Sequence, residues 1–163
     1  MQSVLLNLMK NGLITGAKEL IIFFQKTKFK NKLENSAKIA VENYIYNFDN
    51  YKLDLAANEV LSLAINTNLY LNDNQPWLLI KDKDNLPLVK QIIYNVLEST
   101  RIIGLLLIPL LPELSTKINE QLGSIYTEET PWKQQLSWGL LVSNSSLPKP
   151  TPIINKLEYE QHL

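Results

Sequence analysis

The 163-residue chain contains no cysteine and a single histidine, His162, close to its C-terminus. Without thiols there is no disulfide framework, thiolate nucleophile or Cys-based zinc site, and one imidazole excludes His triads and multi-His metal centres. Glycine is also scarce. The five glycines are scattered, and none forms the G-x-G-x-x-G or G-x-x-x-x-G-K-[ST] spacing that cradles phosphates. An excess of one charge is lacking too: 16 basic residues face 16 acidic ones, with a sequence pI near 6.6. That balance argues against a wholly basic nucleic-acid coat, but it leaves room for a local site that reads bases by stacking and hydrogen bonds.

Long hydrophobic runs are missing as well. The most apolar stretch, residues 102–111, falls well short of the ~20 residues that span a bilayer, so no membrane partner is expected and the run reads as buried helix. The first residues show no charged n-region followed by small residues at a cleavage site, which leads to the expectation of a cytoplasmic chain. Close acidic pairs are few. Glu128-Glu129 and Asp82/Asp84 lie in polar stretches where nothing raises a carboxyl pKa, so no catalytic centre is expected.

What is present is a helical pattern. Hydrophobic residues make up 45% of the chain, enough for one globular domain over residues 1–163, and no strand alternation is sustained. The spacing predicts an all-α bundle of about five helices, at about 2–26, 31–47, 51–73, 86–108 and 112–122. Leu5, Met9, Leu13, Leu20 and Phe24 mark the first. Leu33, Ala37, Ala40, Val41, Tyr44 and Ile45 mark the second, and Leu53, Ala57, Val60, Leu61, Ala64 and Leu71 the third, with Asn68 on the same face. Pro76 stops the third helix, and Pro112 and Gly123 bracket the fifth. The fourth, carrying Val89, Ile92, Val96 and Ile103, is expected at the centre. Leu147-Pro148-Lys149-Pro150-Thr151-Pro152 predicts an extended C-terminal tail over about 140–163 that packs back on the bundle.

The informative constellation lies where the third helix ends. Between Ala64 and Trp77 the chain concentrates Asn66, Asn68, Asn72, Asn74, Tyr70 and the Pro76-Trp77 pair. An indole fixed beside a proline offers a face for an unstacked base, and amides pair with base edges. Read from the residues alone, the same pattern also suits a tryptophan that plugs the core and asparagines that cap a helix. Glu98 and Arg101, at i,i+3, read as an ion pair.

In combination, Asn68-x-Tyr70-Leu71-Asn72-Asp73-x-x-Pro76-Trp77 and the later Leu97-Glu98-x-x-Arg101-Ile102-Ile103-Gly104 through Leu111-Pro112 resemble the anticodon-binding helical domain of methionyl-tRNA synthetase. Trp132-x-x-Gln135-Leu136-x-Trp138-Gly139 and the Pro-rich tail resemble the end of bacterial, especially cyanobacterial, members. The resemblance covers about residues 33–158. It implies that methionine tRNA is the partner, that Trp77 stacks on a base of the CAU anticodon with Pro76 bracing it, and that Asn72 and Asn68 are polar contacts. The family also uses an Asn-x-x-x-Arg pattern on its first helix. Here Asn7, Lys10 and Asn11 stand at that place, and the bidentate guanidinium is missing.

The H-I-G-H and K-M-S-K-S signatures of the nucleotide-binding fold do not occur. The chain alone is therefore expected to be inactive as a ligase. ATP and methionine are expected to bind a catalytic domain absent from these residues, and a separate synthetase catalytic domain is a candidate partner. The rival expectation is a non-catalytic helical module that docks a protein.

Overall fold

The computed structural model describes residues 32–123, 126, 127, 129–141 and 153. Among these residues the chain is entirely helical, with no strand. Four longer helices carry the fold: α1 (Lys32–Asp49), α2 (Leu53–Asn74), α4 (Leu86–Leu107) and α5 (Pro112–Gln121). Two one-turn helices, α3 (Pro76–Leu79) and α6 (Trp132–Gln135), and a 3₁₀ turn at Lys83–Asn85 link or follow them. The expected helix at 2–26, with Asn7, Lys10 and Asn11, lies outside the described residues. So does most of the expected tail at 140–163, of which Leu140, Leu141 and Ile153 are described; Leu141 and Ile153 are buried with the core.

α4 is central for a compositional reason. A helix that is apolar nearly all round has no face to give to water, and from Asn95 to Leu107 every residue of α4 is buried. α1, α2, α3 and α5 all pack against it. The α1 stripe is as expected, with Leu33, Ala37, Ala40 and Tyr44 buried and Val41 and Ile45 packed at its margin.

α2 departs from the expected face. Ala56, Val60, Leu63, Ala64, Thr67 and Leu71 point inward, whereas Leu53, Ala57 and Leu61 are exposed. The pattern was ambiguous because α2 carries apolar residues on two sides. Polar pairing selects the side taken: Thr67 Oγ1 bonds Ser99 Oγ at 2.6 Å and the Leu63 carbonyl at 2.7 Å, and Asn95 Nδ2 donates to the Tyr70 hydroxyl at 2.9 Å. A buried hydroxyl needs such a partner. Thr67 therefore takes the interior position, and Asn68 is left half-buried at its edge.

α5 begins at Pro112, and Gly123 follows it with φ 81°, the left-handed conformation expected of a helix-ending glycine. Gly104 lets α5 approach α4. A Cβ there would sit 3.0 Å from Ile118 Cγ2, and Ser115 Oγ donates to the Gly104 carbonyl at 2.8 Å.

Candidate nucleic-acid interface

The end of α2 is shaped by the backbone. Asn74 is its last residue, and Gln75 adopts φ 42°, ψ 57°, with its N–H still bonded to the Leu71 carbonyl at 3.1 Å. The left-handed residue turns the chain sharply, and Pro76 opens α3 with a φ suited to a first helical turn. Leu78 N–H donates to the Gln75 carbonyl at 2.9 Å and Ile80 N–H to the Pro76 carbonyl at 3.0 Å, which closes the corner.

Pro76 is buried. Trp77, one residue on, is half-buried against the core, leaving part of its indole outside. Asn72 is fully on the surface in the last turn of α2, and Asn68 lies one turn earlier on the same side. The four residues Asn68, Asn72, Pro76 and Trp77 thus share one end of one helix and its corner. Asn74 is committed to structure, with its Nδ2 donating to the Tyr70 carbonyl at 2.7 Å. Burial raises the Tyr70 hydroxyl pKa, and the Asn95 hydrogen bond partly opposes it.

An open cavity of about 310 Å³ flanks this end, between Lys32, Leu33 and Ser36 of α1 and Asn66, Leu69, Tyr70, Asp73 and Asn74 of α2. A second, of about 380 Å³, lies under Trp138 and Lys133, away from Trp77. Among the described residues no group of His, Asp or Glu has the arrangement to hold a metal, and no helix is long and apolar enough to cross a membrane. Asp82, Asp84 and Glu129 are exposed, as expected.

The polar set that sequence reasoning underestimated is the Glu98–Arg101 pair. The i,i+3 ion pair is present, with Arg101 Nε and Nη2 donating to the Glu98 carboxylate at 2.9 and 2.7 Å, yet both side chains are wholly buried. Arg101 also donates to the carbonyls of Gln135 (2.6 Å) and Ser137 (2.7 Å). Glu98 accepts the N–H groups of Gly139, Leu140 and Leu141 at 2.7, 3.0 and 3.0 Å. The buried Gln135 amide bonds the Thr127 backbone and the Thr130 carbonyl, and Trp132 Nε1 donates to the Leu105 carbonyl at 3.0 Å. This set fastens residues 127–141 to α4. Gln135 stood only in the family-like motif with no role assigned to it, and the available signal for a buried network was the chain's one arginine standing directly before its most apolar stretch.

The described residues thus form an all-α bundle around a buried central helix, with an amide-rich corner and a proline-braced indole at one end. The chain is similar in fold to Mycobacterium tuberculosis methionyl-tRNA synthetase, in its apo form (TM-score 0.74, 23% identity, 94% of this chain and 32% of that one) and in complex with methionyl-adenylate (TM-score 0.70, 20% identity, 90% and 29%). The chain belongs to the family described as the anticodon binding domain of methionyl tRNA ligase, whose model matches residues 25–162. Similar relatives are the methionine–tRNA ligases of Nostoc sp. (34% identical over 113 residues, 66% of this chain) and Lactococcus lactis (29% over 137 residues, 84% of this chain). That of Synechocystis sp. is 37% identical over 63% of this chain. The chain spans about a fifth of the length of these relatives (20–21%).

Proposed function

We propose that the chain recognises the CAU anticodon of a methionine tRNA through the corner between α2 and α3. The observation that carries this reading is the placement of Trp77. Its proline neighbour is buried and its backbone turn is closed by hydrogen bonds, so a partly exposed Trp77 stands at the corner that follows the helix end carrying Asn68 and Asn72. A fixed aromatic face stacks on an unpaired base with little ordering penalty, and the amides supply base-edge contacts. Asn7, Lys10 and Asn11, outside the described residues, are the further contacts the family pattern suggests. Methionine activation with ATP belongs to a catalytic portion of a methionine–tRNA ligase, acting on the same tRNA from the same chain or as a separate partner in the cytoplasm.

The test is a titration of the full chain with methionine tRNA and with the same tRNA carrying an altered anticodon. Preference for the matched tRNA is the expected result. Equal affinity for both, or none for either, overturns the reading and leaves a helical module that docks protein. Asn11→Arg adds a check, since restoring a guanidinium tightens binding to the matched tRNA by ~1–3 kcal/mol if it reaches a base edge. A gain shared by both tRNAs would mark a phosphate contact only.

A further inference from the structure

The last turn of α1 and the turn joining it to α2 present two aromatic rings that the fold does not use. Tyr51 is 92% exposed and Tyr46 63% exposed. Tyr51 has φ 59°, the left-handed conformation that glycine or asparagine adopts without strain and that is rare for a bulky residue. Backbone bonds hold it there: Tyr51 N–H donates to the Phe48 carbonyl at 3.0 Å and Lys52 N–H to the Asn47 carbonyl at 2.9 Å. The turn needs the conformation. It does not need a phenol ring in solvent, and strain held at an exposed side chain points to a task outside folding.

The surroundings favour a nucleobase over a protein surface. Lys52 Nζ stands 5.7 Å from the Tyr46 ring centroid, placing a cation beside an aromatic face. Asn50 presents an exposed amide, anchored by Nδ2 to the Tyr46 carbonyl at 2.7 Å. The Asp49 carboxylate is met by Lys133 Nζ at 3.6 Å, and the other acids near the rings are Asp54, in the first turn of α2, and Glu42, one turn before Tyr46 on α1. Leu53 and Leu55 are exposed on nearly opposite sides of α2, and Leu53 begins an exposed apolar stripe that continues through Ala57, Leu61, Ile65 and Leu69 along α2, away from the two rings.

We propose that Tyr51, with Tyr46 and Lys52, is a second base-stacking site that takes an unpaired nucleobase of the bound RNA outside the anticodon. It rests on the reading that the chain binds tRNA. α2 has 22 residues, so at ~1.5 Å per residue the turn lies about 33 Å from the Trp77 corner.

Tyr51→Gly is the decisive variant, because it removes the ring and relieves the backbone together. Affinity for methionine tRNA should fall roughly fivefold or more, equally for the matched and the anticodon-altered tRNA, while the thermal midpoint does not fall. Tyr51→Phe, which keeps the stacking face, should bind as the parent does. If Tyr51→Gly binds both tRNAs like the parent, the second site is refuted while the anticodon reading stands. If its midpoint drops, Tyr51 serves the fold and the proposal fails. A parent chain that binds neither tRNA overturns both readings.

Discussion

Glu98 and Arg101 are as deeply buried as the leucines around them, whereas Asn72 and part of Trp77 stand at the surface. The two polar sets differ in how fully their hydrogen-bonding capacity is used. Around Glu98 and Arg101 both carboxylate oxygens and all three guanidinium nitrogens have partners, several of them backbone groups of residues 135–141. At the end of α2, Asn72 faces water and the indole keeps an uncovered part. A saturated buried network holds a structure together; an unsaturated exposed set is free to take a ligand.

The comparison breaks most visibly at Arg101. Arg101→Ala leaves a buried carboxylate without its countercharge and two backbone carbonyls without donors, so urea unfolding should show a loss of ~3–5 kcal/mol. Arg101→Lys should recover little, since an ammonium cannot reproduce the fork. A simple buried ion pair tolerates replacement of both partners by apolar residues. Here Glu98→Leu combined with Arg101→Met should remain strongly destabilised, because the N–H groups of Gly139–Leu141 lose their acceptor. A double variant as stable as the parent would show that the pair is dispensable to the 127–141 segment.

A smaller effect should appear at high pH in the same closed region. Tyr44 is buried against Phe48 and Trp132, its hydroxyl has no partner, and burial pushes its pKa up to about 12 from 10. Tyr94 is also pushed to about 12, first by burial and then by the Glu98 charge, with Arg101 opposing. The unfolded chain loses these protons from pH 10 and the folded chain only near 12. Stability is therefore at its full value below pH 10 and falls as pH rises from 10 to 12, by on the order of 2 kcal/mol for Tyr44. Tyr44→Phe should flatten that limb and, by removing an unpaired buried hydroxyl, hold or raise stability at neutral pH. An unchanged alkaline limb in Tyr44→Phe would show that Tyr44 is not what titrates.

The sequence was most informative where one principle acted alone. Pro76, Pro112 and Gly123 mark their boundaries because ring and left-handed constraints are local, and α4 announces its burial through the apolar run that ends it, residues 102–107. It failed on the rotation of α2, where two apolar faces compete and the choice is made by Ser99 and Asn95, more than 20 residues away. The Glu98–Arg101 spacing showed an ion pair, but not that its outer lone pairs and protons would be taken by a segment 34–43 residues further on. The Pro76-Trp77 corner was legible as a helix stop followed by an aromatic, since both leave a signature within ten residues.

At the open end the effects divide between binding and folding. Trp77→Ala should weaken binding to the matched methionine tRNA by ~1–3 kcal/mol and reduce discrimination against an altered anticodon. Because Trp77 is partly buried against the core, stability should also fall, by the greater part of the ~3–5 kcal/mol typical of a fully buried Trp. Trp77→Phe separates the two by keeping an aromatic face and most of the packing. Loss of stability with no loss of discrimination in either variant would make Trp77 a core residue only.

The smallest expected effect is the sharpest on the comparison. The Asn72 side chain is exposed in the last turn of α2, so Asn72→Ala removes nothing from the core, and alanine is the better helix former. Its unfolding free energy should match that of the parent within ~0.5 kcal/mol or rise slightly. If the amide meets a base edge, affinity for the matched tRNA should nevertheless drop by about 1 kcal/mol, as for one lost hydrogen bond, with less change for the altered anticodon. Asn72→Asp is a less clean probe, because a carboxylate near a helix C-terminus opposes the macrodipole and repels phosphate. A binding loss without a stability loss in Asn72→Ala is the pattern an open ligand-facing residue must show and a Glu98 or Arg101 variant cannot. If affinity and stability are both unchanged, Asn72 is ordinary surface and the contact set contracts to Trp77 and Asn68.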